Sequence, residues 1–146
     1  MNFFDWKDPG VDCRMVAENR HAFAFLNKMP ILPGHTLVCP KRPCQFSREI
    51  GDDVWRDILE LKEAVCGKLR QALGAEGFNF AWNEGAVAGQ TVAHFHLHIV
   101  PRGKGDRGIA EYEPRVFLYR PGLRADSPAD ELESLSKLLR DTIVID

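Results

Sequence analysis

The stretch His94-Phe95-His96-Leu97-His98-Ile99-Val100 holds three of the five histidines in this 146-residue chain. In an extended strand alternate side chains share a face at a spacing of about 6.6 Å, so three imidazoles point one way while Phe95, Leu97 and Ile99 point into a core. A lone strand histidine is commonly structural, but three on one face, backed by an unbroken apolar face, form a polar cluster that packing does not require. Two chemistries use such a cluster. Imidazoles ligate zinc, a His-x-His pair aiming two ring nitrogens at one ion while His98 or a distant side chain adds a third. Alternatively, a neutral imidazole attacks phosphorus while its neighbours orient it and protonate the leaving group. Metal-bound histidines usually have carboxylate or carbonyl partners behind them, whereas the adjoining Gly85, Gly89, Gln90 and Thr91 offer amides and a hydroxyl suited to phosphate oxygens. The surroundings therefore favour attack on phosphorus.

Such a segment needs a sheet to carry it. Cys13 to Glu18 and Arg20 to Asn27 alternate in hydropathy and are expected to form a hairpin. Pro30, Pro33 and Gly34 mark a turn before a third strand, His35-Thr-Leu-Val-Cys39, ended by Pro40 and Pro43. From Asp52 to Leu73 the period changes: Trp55, Ile58, Leu61, Val65, Leu69 and Leu73 recur at three- and four-residue steps, the pattern of an amphipathic helix. Asp52 or Asp53 is expected to cap its start, with Gly74 and Gly77 as its stop. Gly77 to Asn83 and Val92 to Val100 read as fourth and fifth strands, near enough in sequence to pair. A short strand is expected at Val116 to Tyr119. Ser127 and Pro128 open a C-terminal helix as N-cap and first residue, with Leu132, Leu135, Leu138 and Leu139 as its apolar stripe. The prediction is one α+β domain over residues 1–146, with an antiparallel sheet of roughly five strands, one long helix and a C-terminal helix.

Composition bounds the partners. The chain is 45% hydrophobic and 27% charged, ordinary for a globular domain, and its formal net charge is −2. Nucleic-acid binding by backbone neutralisation needs a basic surface, so no nucleic-acid partner is expected; small anionic ligands remain open because a few donors suffice. No run approaches the roughly 20 apolar residues of a membrane span, and the start of the chain lacks the basic and apolar regions of a secretion signal. A cytoplasmic protein with reduced thiols is expected. Cys13, Cys39, Cys44 and Cys66 show no Cys-x-x-Cys spacing.

The same residues carry a likeness to a known family. His94-Phe-His96-Leu-His98-Ile-Val100 resembles the His-φ-His-φ-His-φ-φ signature of the histidine-triad family, where φ is apolar. Gly89-Gln-Thr-Val-Ala before it, Pro101-Arg102 after it, and Leu26-Asn27 and Pro33-Gly-His35-Thr-Leu-Val-Cys-Pro40 upstream extend the match from about Cys13 to Arg102; the segment from about residue 103 matches less closely. Pro-Gly-His-Thr-Leu-Val-Cys-Pro and Gly-Gln-Thr-Val are most similar to the fragile-histidine-triad branch, whose members cleave diadenosine polyphosphates. Asn83-Glu84-Gly85 stands where that branch usually has Gln-Asp-Gly, and its asparagine is closer to the nucleoside-phosphoramidase branch.

The resemblance implies that His96 is a nucleophile forming a nucleotidyl-histidine that water then hydrolyses. It places His94 and His98 beside it on the phosphoryl oxygens or the leaving group, and His35 as a fourth histidine fixing tautomers. Asn27 would meet the ribose, and Asn83, Gln90 and Thr91 the phosphate. It implies no cofactor and no metal, the Cys-x-x-Cys pair that holds structural zinc in some bacterial members being absent. It further implies a homodimer using the Asp52 to Leu73 helix and a sheet edge, although core packing explains that helix's stripe equally well. The expected activity is cleavage at the α-phosphate of dinucleoside polyphosphates or nucleoside 5′-phosphoramidates. A nucleotide-binding signalling module with slow turnover is the alternative.

Other features carry less. Gly103-Lys-Gly105-Asp-Arg-Gly108 fits G-x-G-x-x-G but opens no helix, so it reads as a loop rather than a dinucleotide site. Arg102, Lys104 and Arg107 read as solvated charges ahead of distal-phosphate contacts. His21 reads as a surface or strand residue, and Trp55, Phe80 and Trp82 as core, with one aromatic near Asn83 able to stack on a base.

Overall fold

The computed structural model describes residues 3–106 and 126–145. The alternating segments form β1 (Met15–Glu18), β2 (Ala22–Leu26) and β3 (Thr36–Pro40), and the later pair forms β4 (Gly77–Ala81) and β5 (Leu97–Arg102). They make one five-stranded sheet in the order β1-β2-β3-β5-β4, with each neighbouring pair antiparallel. Three helices accompany it: a single turn α1 (Pro9–Asp12), the long α2 (Asp52–Leu73) and the C-terminal α3 (Ala129–Asp141). The expected α+β fold is present.

Period-two alternation gives the sheet two unlike faces. On one, Val16, Ala24, Leu26, Val38, Leu97 and Ile99 pack beneath Ile58, Leu61, Val65 and Leu69 of α2 and Leu132 and Leu139 of α3. Each of the larger aliphatic side chains contributes roughly 1.5–3 kcal/mol when fully buried. On the other face Met15, Phe23, Phe25, Leu37 and Cys39 are covered by Phe4, Trp6 and Val11 of the N-terminal segment. That thinner layer is where the histidines emerge.

The helix ends differ from the sequence reading. Gly51, with no side-chain bond, caps α2, while Asp52 and Asp53 lie in its first turn. Their carboxylates there meet the positive end of the helix dipole instead of accepting capping bonds. At the far end Gly74 adopts φ 67°, the left-handed conformation that closes a helix. Pro128, not Ser127, occupies the capping position of α3. The Ser127 N–H donates instead to the Lys28 carbonyl at 2.7 Å, tying the helix entrance to the loop after β2. Leu138 is 48% exposed, off the buried stripe of α3.

Two other expectations change. The fifth strand begins at Leu97, not Val92. Upstream of it the backbone is spent elsewhere: the Phe95 N–H donates to the Cys44 carbonyl at 2.6 Å and the His94 carbonyl accepts from the His96 ring. Phe80 and Trp82 are 44% and 43% exposed, since β4 is an outer strand with no neighbour beyond it among the described residues. The expected strand at Val116 to Tyr119 lies outside the described residues. All four cysteines are free thiols.

Candidate active site

The apolar partners of the triad set its geometry. Phe95, Leu97 and Ile99 all enter the helix-side core. His94, His96 and His98 therefore share the opposite face even though only His98 lies within the β5 ladder. His96 and His98 meet edge to face with ring centroids 5.0 Å apart. Both line a cavity of about 180 Å³, with Asn27, Asn83, Gly89 and Thr91 also in its wall.

Hydrogen-bond partners assign every ring in the cluster, because a backbone N–H can only donate and a carbonyl can only accept. The Ile31 N–H donates to His35 Nδ1 at 3.1 Å, so the proton of His35 sits on Nε2. That Nε2 lies 2.9 Å from His98 Nδ1 and donates to it, placing the His98 proton on Nε2. His96 Nδ1 donates to the His94 carbonyl at 2.8 Å, which makes Nε2 the basic nitrogen of His96. The Phe4 N–H donates to His94 Nδ1 at 3.0 Å, and His94 Nε2 donates to the Pro40 carbonyl at 2.8 Å. One ring thus offers a lone pair and its neighbour a proton.

Burial supports the same protonation state. Desolvation pushes the pKa of His96 down, opposed by its bond to the His94 carbonyl. His94 is pushed down too, by burial first and by the neighbouring His96 to a smaller extent. Both rings stay neutral through the physiological range.

The remaining predicted residues divide. Asn27 faces the cavity and is anchored by accepting the Met29 N–H on Oδ1 at 2.9 Å. Asn83 donates to the Gly89 carbonyl, closing the loop between β4 and β5, and Thr91 stands in the same wall. Gln90 is buried behind that loop: its Oε1 accepts from the Gly85 N–H at 2.8 Å and its Nε2 donates to the Gln45 carbonyl at 3.0 Å. His94 and His35 are fully buried behind His96 and His98 and do not line this cavity. His21 lies apart, bonded to Asp57 at 2.8 Å. Arg102 forks onto Asp106 at 2.8 and 3.0 Å and reaches Asn79, at the other end of β5.

Among the cavity residues that no sequence pattern pointed to are Phe4 and Arg14. Phe4 packs its ring 5.3 Å from that of His96, and Arg14 sits at the mouth of β1. No local pattern joins Phe4 to a histidine 90 positions away.

The HIT domain family matches residues 9–105, two thirds of the chain. This chain belongs to the histidine-triad family. Among histidine-triad relatives, it is 38% identical to the bis(5′-adenosyl)-triphosphatase of Dictyostelium discoideum over 119 residues, which is 82% of this chain and 78% of that protein. It is 35% identical to an adenosine 5′-monophosphoramidase of Schizosaccharomyces pombe over 99 residues, 68% of this chain and 71% of that protein. A hypothetical histidine triad nucleotide-binding protein of Sulfolobus tokodaii superposes with a TM-score of 0.71 at 28% identity, covering 88% of this chain and 81% of that one. Among the described residues of this histidine-triad protein, no helix is long and apolar enough to cross a membrane.

Proposed function

We propose that the protein hydrolyses dinucleoside polyphosphates or nucleoside 5′-phosphoramidates at the α-phosphate, through a nucleotidyl intermediate on His96. The observation that carries this reading is the pairing of opposite tautomers at one cavity wall: a basic Nε2 on His96 beside a protonated Nε2 on His98. The relatives named as a triphosphatase and a phosphoramidase support it.

In the first step the His96 Nε2 lone pair forms a bond to the α-phosphorus. The bond to the leaving oxygen or nitrogen breaks and that atom takes the proton from His98 Nε2, leaving His98 as an anion stabilised by the Nε2–H of His35 and by the positive charge that His96 gains. The positive charge gained by His96 is shared through Nδ1–H with the His94 carbonyl. In the second step water attacks phosphorus and gives its proton to His98 Nε2, the phosphorus–nitrogen bond breaks, and a nucleoside monophosphate leaves. The Thr91 hydroxyl and the Asn83 amide supply donors at the cavity wall for the non-bridging oxygens.

The test is single-turnover reaction with diadenosine triphosphate and with adenosine 5′-phosphoramidate, trapping the adduct for mass spectrometry. His96→Gly should lose turnover by about 10⁴-fold or more while still binding AMP. Absence of both turnover and adduct in the wild type overturns the reading.

The same reading includes a homodimer. The outer strand β4 exposes Phe80, the residue after it, Trp82, is also exposed, and α2 exposes Leu59. A strand edge with no neighbour among the described residues and with aromatic side chains beside it favours pairing with a second copy. Light scattering of the purified protein should give twice the chain mass.

A further inference from the structure

Beyond the histidines the cavity has a second end. His98, Leu37 and Phe25 are register partners across β5, β3 and β2, so their side chains form one row on the cavity face. Neighbouring strands lie about 4.8 Å apart, which puts Phe25 roughly 10 Å from His98 and the start of β1 roughly 14 Å away. An extended nucleoside 5′-phosphate with phosphorus at the histidines reaches that far. The Phe4 and Phe25 rings meet edge to face at 5.1 Å and both line the cavity, making this end apolar, as a base requires.

Arg14 stands at the end of that row. Its guanidinium lies 5.2 Å from the centre of the Phe25 ring, and it lines the same cavity as His96 and His98. Nε donates to the Gly10 carbonyl at 2.9 Å and Nη1 to the Leu26 carbonyl at 2.7 Å, which pins the group in place. A guanidinium has five N–H donors, so these bonds leave donors unspent. Among the described residues no carboxylate forms an ion pair with Arg14. Asp8 and Asp126 act on Arg14 through their charge without forming an ion pair with it, so a pinned, partly desolvated cation at this apolar end keeps donors that the acceptors of a ligand can meet.

We propose that Arg14 selects the base, pairing with O6 and N7 of a guanine so that guanine nucleotides are preferred to adenine nucleotides. This rests on the cavity being the substrate site. Guanine presents two adjacent acceptors to an arginine fork, whereas adenine presents N7 beside the N6 amino group, which sets a donor against a donor. Losing one arm of the fork weakens adenine by about tenfold or more.

The test compares kcat/KM for diguanosine triphosphate and diadenosine triphosphate in the wild type, Arg14→Gln and Arg14→Leu. It is paired with calorimetric binding of GMP and AMP to the wild type, which requires no variant to fold. The expected result is a guanine preference of about tenfold in the wild type, in both rate and binding, that falls to within about twofold in the variants through loss on the guanine substrate. Equal or inverted preference in the wild type overturns the proposal. So does a parallel loss on both substrates in folded variants, which would assign Arg14 to phosphate. If neither dinucleotide is turned over, hydrolysis fails as a reading while the two monophosphate affinities still decide the base preference.

Discussion

His35 Nε2 lies 2.9 Å from His98 Nδ1, joining the residue before β3 to the second residue of β5 through two imidazoles. Because the Ile31 N–H holds the other nitrogen of His35, the direction of this bond is set, and with it the position of the His98 proton. The acid of the proposed reaction is thus prepared by a residue that does not line the substrate cavity.

Removing His35 should therefore harm proton transfer more than binding. His35→Ala is expected to lower kcat by about 10²-fold on a substrate with a basic leaving group, with little change in KM. A nucleoside 5′-phosphoryl ester of p-nitrophenol, whose leaving group departs without a proton, should recover most of the rate. An equal loss on both substrates would mean that His35 serves only the fold.

Burial of His96 and His94 has a consequence in pH. Their folded pKa values are depressed below the ordinary histidine value of about 6.5. The proposed nucleophile, His96, therefore stays unprotonated as pH falls from 8 toward 6.5, and its protonation should lower kcat/KM only below that range. For stability the sign is the same: below the unfolded value the unfolded chain binds protons that the folded chain refuses, so the contribution present above it is lost as pH falls toward the folded values. Urea titrations at pH 7.5 and 5.5 should show lower stability at the acid value, with a smaller difference in His96→Asn.

The N-terminal segment should prove part of the site. Phe4 contributes its backbone N–H to His94 and its ring to the wall beside His96. Phe4→Pro removes the donor and should lower kcat by about tenfold, the loss of one hydrogen bond that orders the catalytic rings. Phe4→Ala keeps the donor and should act mainly on KM. Steady-state kinetics of the two variants separate these effects; identical profiles would contradict the division.

Gly34 prepares the turn into His35. It adopts φ 94°, and a Cβ there would stand 2.8 Å from Leu73 Cδ1 and 3.0 Å from Leu69 Cδ2. Gly34→Ala is expected to destabilise the fold by about 1–3 kcal/mol, read as a lowered Tm. An unchanged Tm would show that α2 gives way without cost.

Much of this was legible along the chain because the signals are local. The six-residue alternation from His94 to Ile99 was enough to put three rings on one face and three apolar side chains on the other, since each pair of neighbours in an extended chain points oppositely whether or not its backbone is in a ladder. The bounds of α2 at Asp52 and Leu73 followed from its period and from Gly74. The capping residues were less legible: Ser127 is a good cap by type, but its N–H bonds to a loop about 100 positions earlier in the chain.

What the chain alone determined, then, was the family, the sheet, and which imidazoles share a side. Packing between distant segments decided which imidazole carries a proton and where, because the partners that settle it, Ile31 for His35, Phe4 and Pro40 for His94, come from elsewhere in the sequence. It also moved Gln90 and His94 behind the cavity wall and brought Arg14 into it. A hydrogen bond depends on position and direction to within a few tenths of an ångström, and only the folded chain supplies both.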